Sequence, residues 1–262
     1  MTADLLTPTA GPQLIYRINP VAKMAAAFLI GLGVLLSIDW VSASVALACE
    51  SVLLFWAGVP PRRLAIRLSP VLVGAVTAAF MTALYAPESG ASYLNILFAH
   101  VTAGSIELAT ATFARILAVG VPAVVLFLTV DPTDLADGLA QVLRLPARFV
   151  IGALAAVRLV GLFIDDWRSL ERARRARGVA DRGRLRRLLS QAFALLVLSI
   201  RRATKLATAM EARGFGSSAP RSWARPSSLH RADVVLMLIG ALIAAASITV
   251  SVATGHWRFL GT

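Results

Sequence analysis

Two long stretches without a single charged residue, Leu68–Pro87 and Val234–Gly255, limit how this chain can fold more than any other feature. Each reaches the roughly 20 mostly apolar residues that a bilayer crossing requires. In hydrocarbon every backbone N–H and C=O must find its partner internally, so such stretches are read as helices. Three more stretches cross with one flaw each. Met24–Ile38 is short, but Lys23 can snorkel from one end and Trp40 can sit at the opposite interface. Trp40–Val59 contains Glu50, and Leu108–Val130 contains Arg115. The expected fold is an all-α integral membrane protein, with about five transmembrane helices and about three cytoplasmic or interfacial ones. Composition agrees. The chain is 58% hydrophobic and 15% charged, where a soluble domain has about 45–50% and about 25%.

Charge placement orients the spans. Arg62, Arg63 and Arg67 follow the second span, whereas the loops after the first and third hold only Asp39 and Glu88. The positive-inside rule then puts the N-terminus and the 60–67 loop in the cytoplasm, with the chain multi-pass in the membrane. The uncharged segment Ser89–Ile106 is weakened by Gly90, Asn95, His100 and Gly104, and is read as an external loop or a short interfacial helix.

Residues 131–231 differ in kind. They hold 19 of the 26 Lys and Arg against 8 of the 14 Asp and Glu, a surplus close to the whole net charge of +12. Two apolar runs lie here, Phe149–Ile164 and Leu188–Ile200. A membrane hairpin made of them would translocate Arg168–Arg187, against the positive-inside rule, so both are read as apolar faces of cytoplasmic or interfacial helices. Three regions follow: 1–130 with about four spans, 131–231 as a cytoplasmic region, and 232–262 with the last span and a short tail.

Several functions are argued against. Cys49 is the one cysteine, and His100, His230 and His256 are far apart, so neither a disulfide nor a metal site is expected. Residues 1–17 lack a basic start leading directly into an apolar core, so no cleavable signal peptide is expected. There is no G-x-x-x-x-G-K-[ST] and no Gly-Lys pair, which excludes a P-loop. The stretch ERARRARGVADRGRLRR (171–187) carries eight arginines without interleaved aromatics, a poor fit to nucleic acid. It suits a polar turn meeting anionic headgroups. Asp165-Asp166 lacks a second acidic motif and is read as a solvated or helix-surface pair. Glu50, Glu107 and Arg115 lie in or beside spans, where charges invite functional readings. A Glu50–Arg115 pair is one option, and structural or snorkelling roles are the other.

The basic region reads as three helices. DPTDLADGLAQVLRL opens with Asp131 as N-cap and Pro132 in the first helical position, and Leu145-Pro146 closes it. A second helix runs from about Pro146 to Arg177, roughly 45 Å, and a third from about Arg184 to Arg213. The two long helices end alike, in Ala173-Arg174-Arg175-Ala176-Arg177-Gly178 and Ala209-Met210-Glu211-Ala212-Arg213-Gly214. The shared pattern is A-x-x-A-R-G. Glycine at the end takes the left-handed conformation without a Cβ penalty, the alanines keep the last turn slim, and one arginine offers a planar fork to a carboxylate. A basic last turn also complements the helix macrodipole, so a single such ending would be only a cap. Two matched endings indicate docking.

These endings, with INPVAK at 18–23 and DPTDLADGLAQVLRLPARFV at 131–150, resemble the transmembrane T component of energy-coupling factor (ECF) transporters, members of the ABC superfamily. The resemblance covers most of the chain, and the two Ala-Arg-Gly signatures are its specific part. It implies that Arg177 and Arg213 each dock in a groove of one of two cytoplasmic ABC-type ATPases, with Ala176, Gly178, Ala212 and Gly214 shaping the tips. It also implies a small membrane substrate-binding subunit as partner, for uptake of a vitamin or metal ion. No catalytic residue and no cofactor belong to the chain itself, since ATP and Mg are bound by the ATPases. Arg177→Ala or Arg213→Ala should weaken docking or coupling, and Arg186→Ala should not. Two rival readings remain at this point. One is a polytopic membrane enzyme acting on a phosphorylated lipid, weakened by the absence of a convergent catalytic set. The other is the substrate-binding subunit itself, disfavoured by the long basic region.

Overall fold

The computed structural model describes residues 14–37, 39–58, 61–87, 89, 91–96, 99–178, 183–217, 222–255 and 257. The elements are α1 (Leu14–Arg17), α2 (Pro20–Leu35), α3 (Trp40–Ala57), α4 (Pro61–Tyr85), β1 (Ser92–Ile96), β2 (Ala99–Thr102), α5 (Ala103–Thr129), α6 (Pro132–Gln141), α7 (Ala147–Ala176), α8 (Arg184–Ala212) and α9 (Arg231–Ala253). They fall into two compact units, one comprising Thr7–Leu135 and Ser228–Thr262, the other Ala136–Ser227.

The helices of the first unit start where polar side chains satisfy their first N–H groups. Asn19 precedes Pro20, and its Oδ1 accepts from the Val21 N–H at 3.0 Å. Asp39 accepts from the Ser42 N–H at 2.7 Å to begin α3. Thr102 and Ser105 form a reciprocal capping box at the start of α5. Asp233 accepts from the His230 N–H at 2.6 Å at the start of α9.

Packing in this unit reverses the order of a soluble core. Ala22, Ala26, Ala43, Ala46, Ala75 and Ala118 are buried, while Phe28, Phe55, Trp56 and Phe80 face outward, Phe55 at 87% exposure. Small residues inside let helix backbones approach, and large apolar ones outside are solvated by lipid tails. α2 and α9 approach closely. A Cβ on Gly240 would lie 2.9 Å from the Ala26 Cα, and one on Gly33 would lie 2.8 Å from the Ala244 Cβ. Ile30, Val34, Ala43, Ala46, Ala118 and Ile243 form the centre, joining α2, α3, α5 and α9. The outer helix α4 packs mainly on α5.

Among the described residues five helices are long and apolar enough to cross a membrane: α3, α4, α5, α7 and α9. The protein is an all-α, multi-pass membrane protein. The membership of the five differs from the sequence expectation in one place. The first predicted span, α2, has 16 residues, about 24 Å against a hydrocarbon core of about 30 Å. It is nevertheless packed among α3, α5 and α9. In its place α7 qualifies, because its apolar run continues through one unbroken 30-residue helix.

The structure decides three local points. Of the two readings of Ser89–Ile106, the interfacial helix gives way: the described residues of 92–102 form a short hairpin. β1 and β2 pair antiparallel, Ile96 opposite Ala99 and Ser92 opposite Thr102, and α5 starts directly after them. Tyr93, Ile96, Val101 and Thr102 are residues that suit a pleated strand. Lys23 does not snorkel: it is 5% exposed and its Nζ donates to the Thr129 backbone oxygen at 3.0 Å. Glu50 and Arg115 do not pair. Arg115 Nη2 donates to the Leu35 oxygen at 2.8 Å, and both carboxylate oxygens of the buried Glu50 lack a hydrogen-bond partner among the described residues. Glu107 is exposed.

In the second unit Ala136 and Ala140 of α6 pack with Val150 of α7, flanked by Leu139 and Leu154. α6 begins in the first unit, where Asp131 opens it, its Oδ1 accepting from the Thr133 N–H at 2.7 Å. Gln141, the last residue of α6, holds the returning chain. Its Nε2 donates to the Arg225 oxygen and its Oε1 accepts from the Ser227 N–H, both at 2.8 Å.

Candidate functional site: two helix tips

The tip of α7 closes in a tight turn. The Arg177 N–H donates to the Ala173 oxygen at 3.3 Å, and the Gly178 N–H to the Arg175 oxygen at 3.0 Å. Gly178 has φ +66°, a left-handed conformation that any side chain would resist. The tip of α8 is a full Schellman motif. The Gly214 N–H donates to the Glu211 oxygen and the Phe215 N–H to the Met210 oxygen, each at 2.9 Å, with Gly214 at φ +81°. The two tips are thus built alike, as the matched letters require.

Ala176, Arg177 and Gly178 are exposed, and so are Ala212, Arg213 and Gly214. Among the described residues neither Arg177 nor Arg213 makes a side-chain hydrogen bond or an ion pair, so both guanidinium forks are presented outward. The α8 tip also places Glu211 in the last turn, where a negative charge opposes the macrodipole.

The helices behind the tips are held together by side chains that sequence reasoning passed over. Asp166 of α7 accepts from Arg202 of α8 through two bonds, at 2.7 and 3.4 Å. Gln191, fully buried, donates to the Trp167 oxygen at 3.0 Å. Arg174 Nη2 donates to the Ser190 oxygen at 3.1 Å and to its Oγ at 2.9 Å. Glu171 bonds Arg175 at 2.6 Å and lies 4.0 Å from Arg187. Contacts from 174–190 near the turn to 166–202 farther along make α7 and α8 an antiparallel pair, so Arg177 and Arg213 stand at opposite ends of it. The block 171–187 therefore contributes Arg174 and Arg187 to internal bonds, and Arg177 to the tip. Arg182 and the side chains of Arg184 and Arg186 lie outside the described residues. Asp165 and Asp166 diverge: Asp165 is exposed, 3.9 Å from Arg168, and Asp166 is the half-buried partner of Arg202.

One signal for the missed pair was present. Asp166 and Arg202 each lie eleven residues before the arginine of their own tip. Opposite charges at equivalent positions of two helices with matched endings fit a crossing point, about 16 Å from each tip.

Comparison with known proteins accords with this architecture. Residues 11–222 match the CbiQ family, described as cobalt transport protein. The energy-coupling factor transporter transmembrane protein EcfT of Limosilactobacillus fermentum is 25% identical over 254 residues, covering 87% of this chain and 91% of that protein. The protein of the same name from Bacillus selenitireducens is 26% identical over 255 residues, covering 90% and 92%, and that from Leuconostoc gelidum is 26% identical over 260 residues, covering 89% and 92%. Since the family match covers most of the chain, from α2 through α8 and both arginine-bearing tips, the chain belongs to the CbiQ family.

Proposed function

We propose that this protein is the transmembrane scaffold and coupling subunit of an energy-coupling factor importer. Two cytoplasmic ABC-type ATPases hold Arg177 and Arg213 in their grooves. When they close on ATP and Mg, which they bind themselves, the two docked tips are displaced relative to each other. α7 and α8 carry that displacement to a small membrane subunit that holds a vitamin or metal ion and releases it inside the cell. The chain has no catalytic role in this scheme. Its N-terminus and the region carrying the tips face the cytoplasm of a bacterial cell.

One observation carries the reading: two exposed arginines, neither with a side-chain partner among the described residues, on two tips that each stop at a glycine with positive φ, at opposite ends of one helix pair. A single groove could not take both, and two like subunits could. Coupling of this kind needs two states biased at one end and read at the other, and long stiff helices meet that need. The membrane-enzyme alternative gains nothing from duplicated tips. Purification of the tagged chain in mild detergent, with mass spectrometry of what accompanies it, tests the reading. Two ABC-type ATPases and a small integral membrane protein are expected. Recovery of the chain alone, even after crosslinking in native membranes, would overturn it.

A further inference from the structure

The two tips stop alike, each at a glycine with positive φ, but they differ in charge. Aligned on their tip arginines, Arg175 of α7 and Glu211 of α8 hold the same place, two residues before Arg177 and Arg213. Both are exposed. The reversal belongs to a wider difference. Residues 171–177 carry four arginines and one glutamate, whereas 207–213 carry one of each. Arg174 turns inward onto Ser190, so the α7 tip shows Arg172, Arg175 and Arg177 outward. Arg175 lies 2.6 Å from Glu171 one turn back, but an exposed pair of this kind is weakly held and leaves Arg175 free to turn to a partner. Among the described residues no side chain takes up the Glu211 carboxylate.

Helix geometry turns this difference into a statement about the partner. Residues two apart on a helix point about 200° apart. Glu211 and Arg213 therefore project from opposite sides of the α8 tip, as Arg175 and Arg177 do from the α7 tip. A groove that encloses a tip meets both sides of it. The wall that receives a tip arginine is acidic. The opposite wall meets a cation on one tip and an anion on the other. One wall cannot suit both, because like charges brought together across an interface are strongly disfavoured. Glu211 gains nothing from its own helix, since it faces the negative end of the macrodipole.

We propose that Arg175 and Glu211 are specificity residues that key each tip to its own groove, an inference that rests on the function proposed above. The α7 tip fits a groove acidic on both walls. The α8 tip fits a groove acidic toward Arg213 and basic toward Glu211. Each tip is kept from the wrong groove by repulsion as much as it is drawn to the right one. Two copies of one ATPase would present the same groove twice, so the two grooves belong to non-identical ATPase domains.

Photo-crosslinking in the purified complex tests the keying. Benzoylphenylalanine replaces Arg172 or Thr208, exposed residues that each stand five positions before a tip arginine. Mass spectrometry of the adducts names the ATPase domain reached. Each site is expected to label one domain over the other by about five-fold or more. Glu211→Arg is expected to lower the Thr208 adduct by a similar factor with the Arg172 adduct unchanged, and Glu211→Gln to lower it less. Arg175→Glu combined with Glu211→Arg is expected to exchange the two labelling patterns. Neither substitution at 211 should lower the melting temperature, since each removes a carboxylate from a helix C-terminus, so a lost adduct reports docking. Equal labelling of both domains, identical ATPase copies in the complex, or a Thr208 adduct indifferent to Glu211→Arg would each overturn the keying and leave the proposed function standing. No ATPase adduct from either site would sink both.

Discussion

Asp166 on α7 and Arg202 on α8 form a two-pronged ion pair, with Oδ2 accepting from Nη1 at 2.7 Å and Oδ1 from Nη2 at 3.4 Å. Each residue stands eleven positions before its tip arginine, Arg177 or Arg213. The pair ties the two helices together at equal distance from both candidate docking points. Both partners are partly buried, so the interaction is less screened than at an open surface. Asp166→Asn and Arg202→Gln should each destabilise the α7–α8 pair by about 1–3 kcal/mol. A double-mutant cycle on the melting temperature in detergent should show coupling between the two sites. Strictly additive losses would mean that the pair holds nothing.

Arg177→Ala and Arg213→Ala should each reduce ATPase co-purification at least five-fold without altering expression or the melting temperature, because neither side chain has an internal partner among the described residues. Lysine should rescue poorly, since it offers a point charge in place of a planar fork. Arg172→Ala is the control, as Arg172 bonds only Ser169 nearby among the described residues. Quantitative pull-down with the two ATPases measures the difference. Equal retention in all variants would remove the tips from docking.

The α2–α9 contact should discriminate between two glycines two residues apart. A Cβ at Gly33 meets Ala244 at 2.8 Å, whereas one at Gly31 meets nothing within 4 Å. Gly33→Ala should cost about 1–3 kcal/mol through overpacking, and Gly31→Ala should be neutral or slightly stabilising. Thermal unfolding of the two variants side by side decides this. Equal melting temperatures would mean that α2 and α9 do not meet as described.

Glu50 offers a gain of stability. Its carboxylate oxygens are buried without a hydrogen-bond partner among the described residues, a state costing about 1–3 kcal/mol or more. Glu50→Met, similar in length and apolar, should raise the melting temperature, and Glu50→Gln should leave it nearly unchanged. A fall with Glu50→Met would reveal a partner for the carboxyl in the assembled protein.

Residues 171–187 and INPVAK show how much of the site was legible in the sequence and where legibility ended. The A-x-x-A-R-G endings predicted both tips to the residue, because a helix stop is written in neighbouring letters: slim alanines, a basic cap and a glycine free to take positive φ. The same block did not reveal that Arg174 and Arg187 turn inward, since their partners belong to the facing helix.

By itself the sequence determined that the chain is helical and membrane-embedded, where α3 and α6 to α9 begin and end within a few residues, and the form of the two tips. Those properties follow from apolar length, turn residues and charge signs, all local along the chain. Only the tertiary structure decided that Lys23 is buried against Thr129, that Arg115 bonds Leu35 while Glu50 has no partner among the described residues, and that Asp166 finds Arg202. A charged side chain on a helix has several neighbours within reach. Which one it takes depends on helix packing, and in this protein that is governed by close contacts such as Gly240 on Ala26, between residues more than two hundred positions apart.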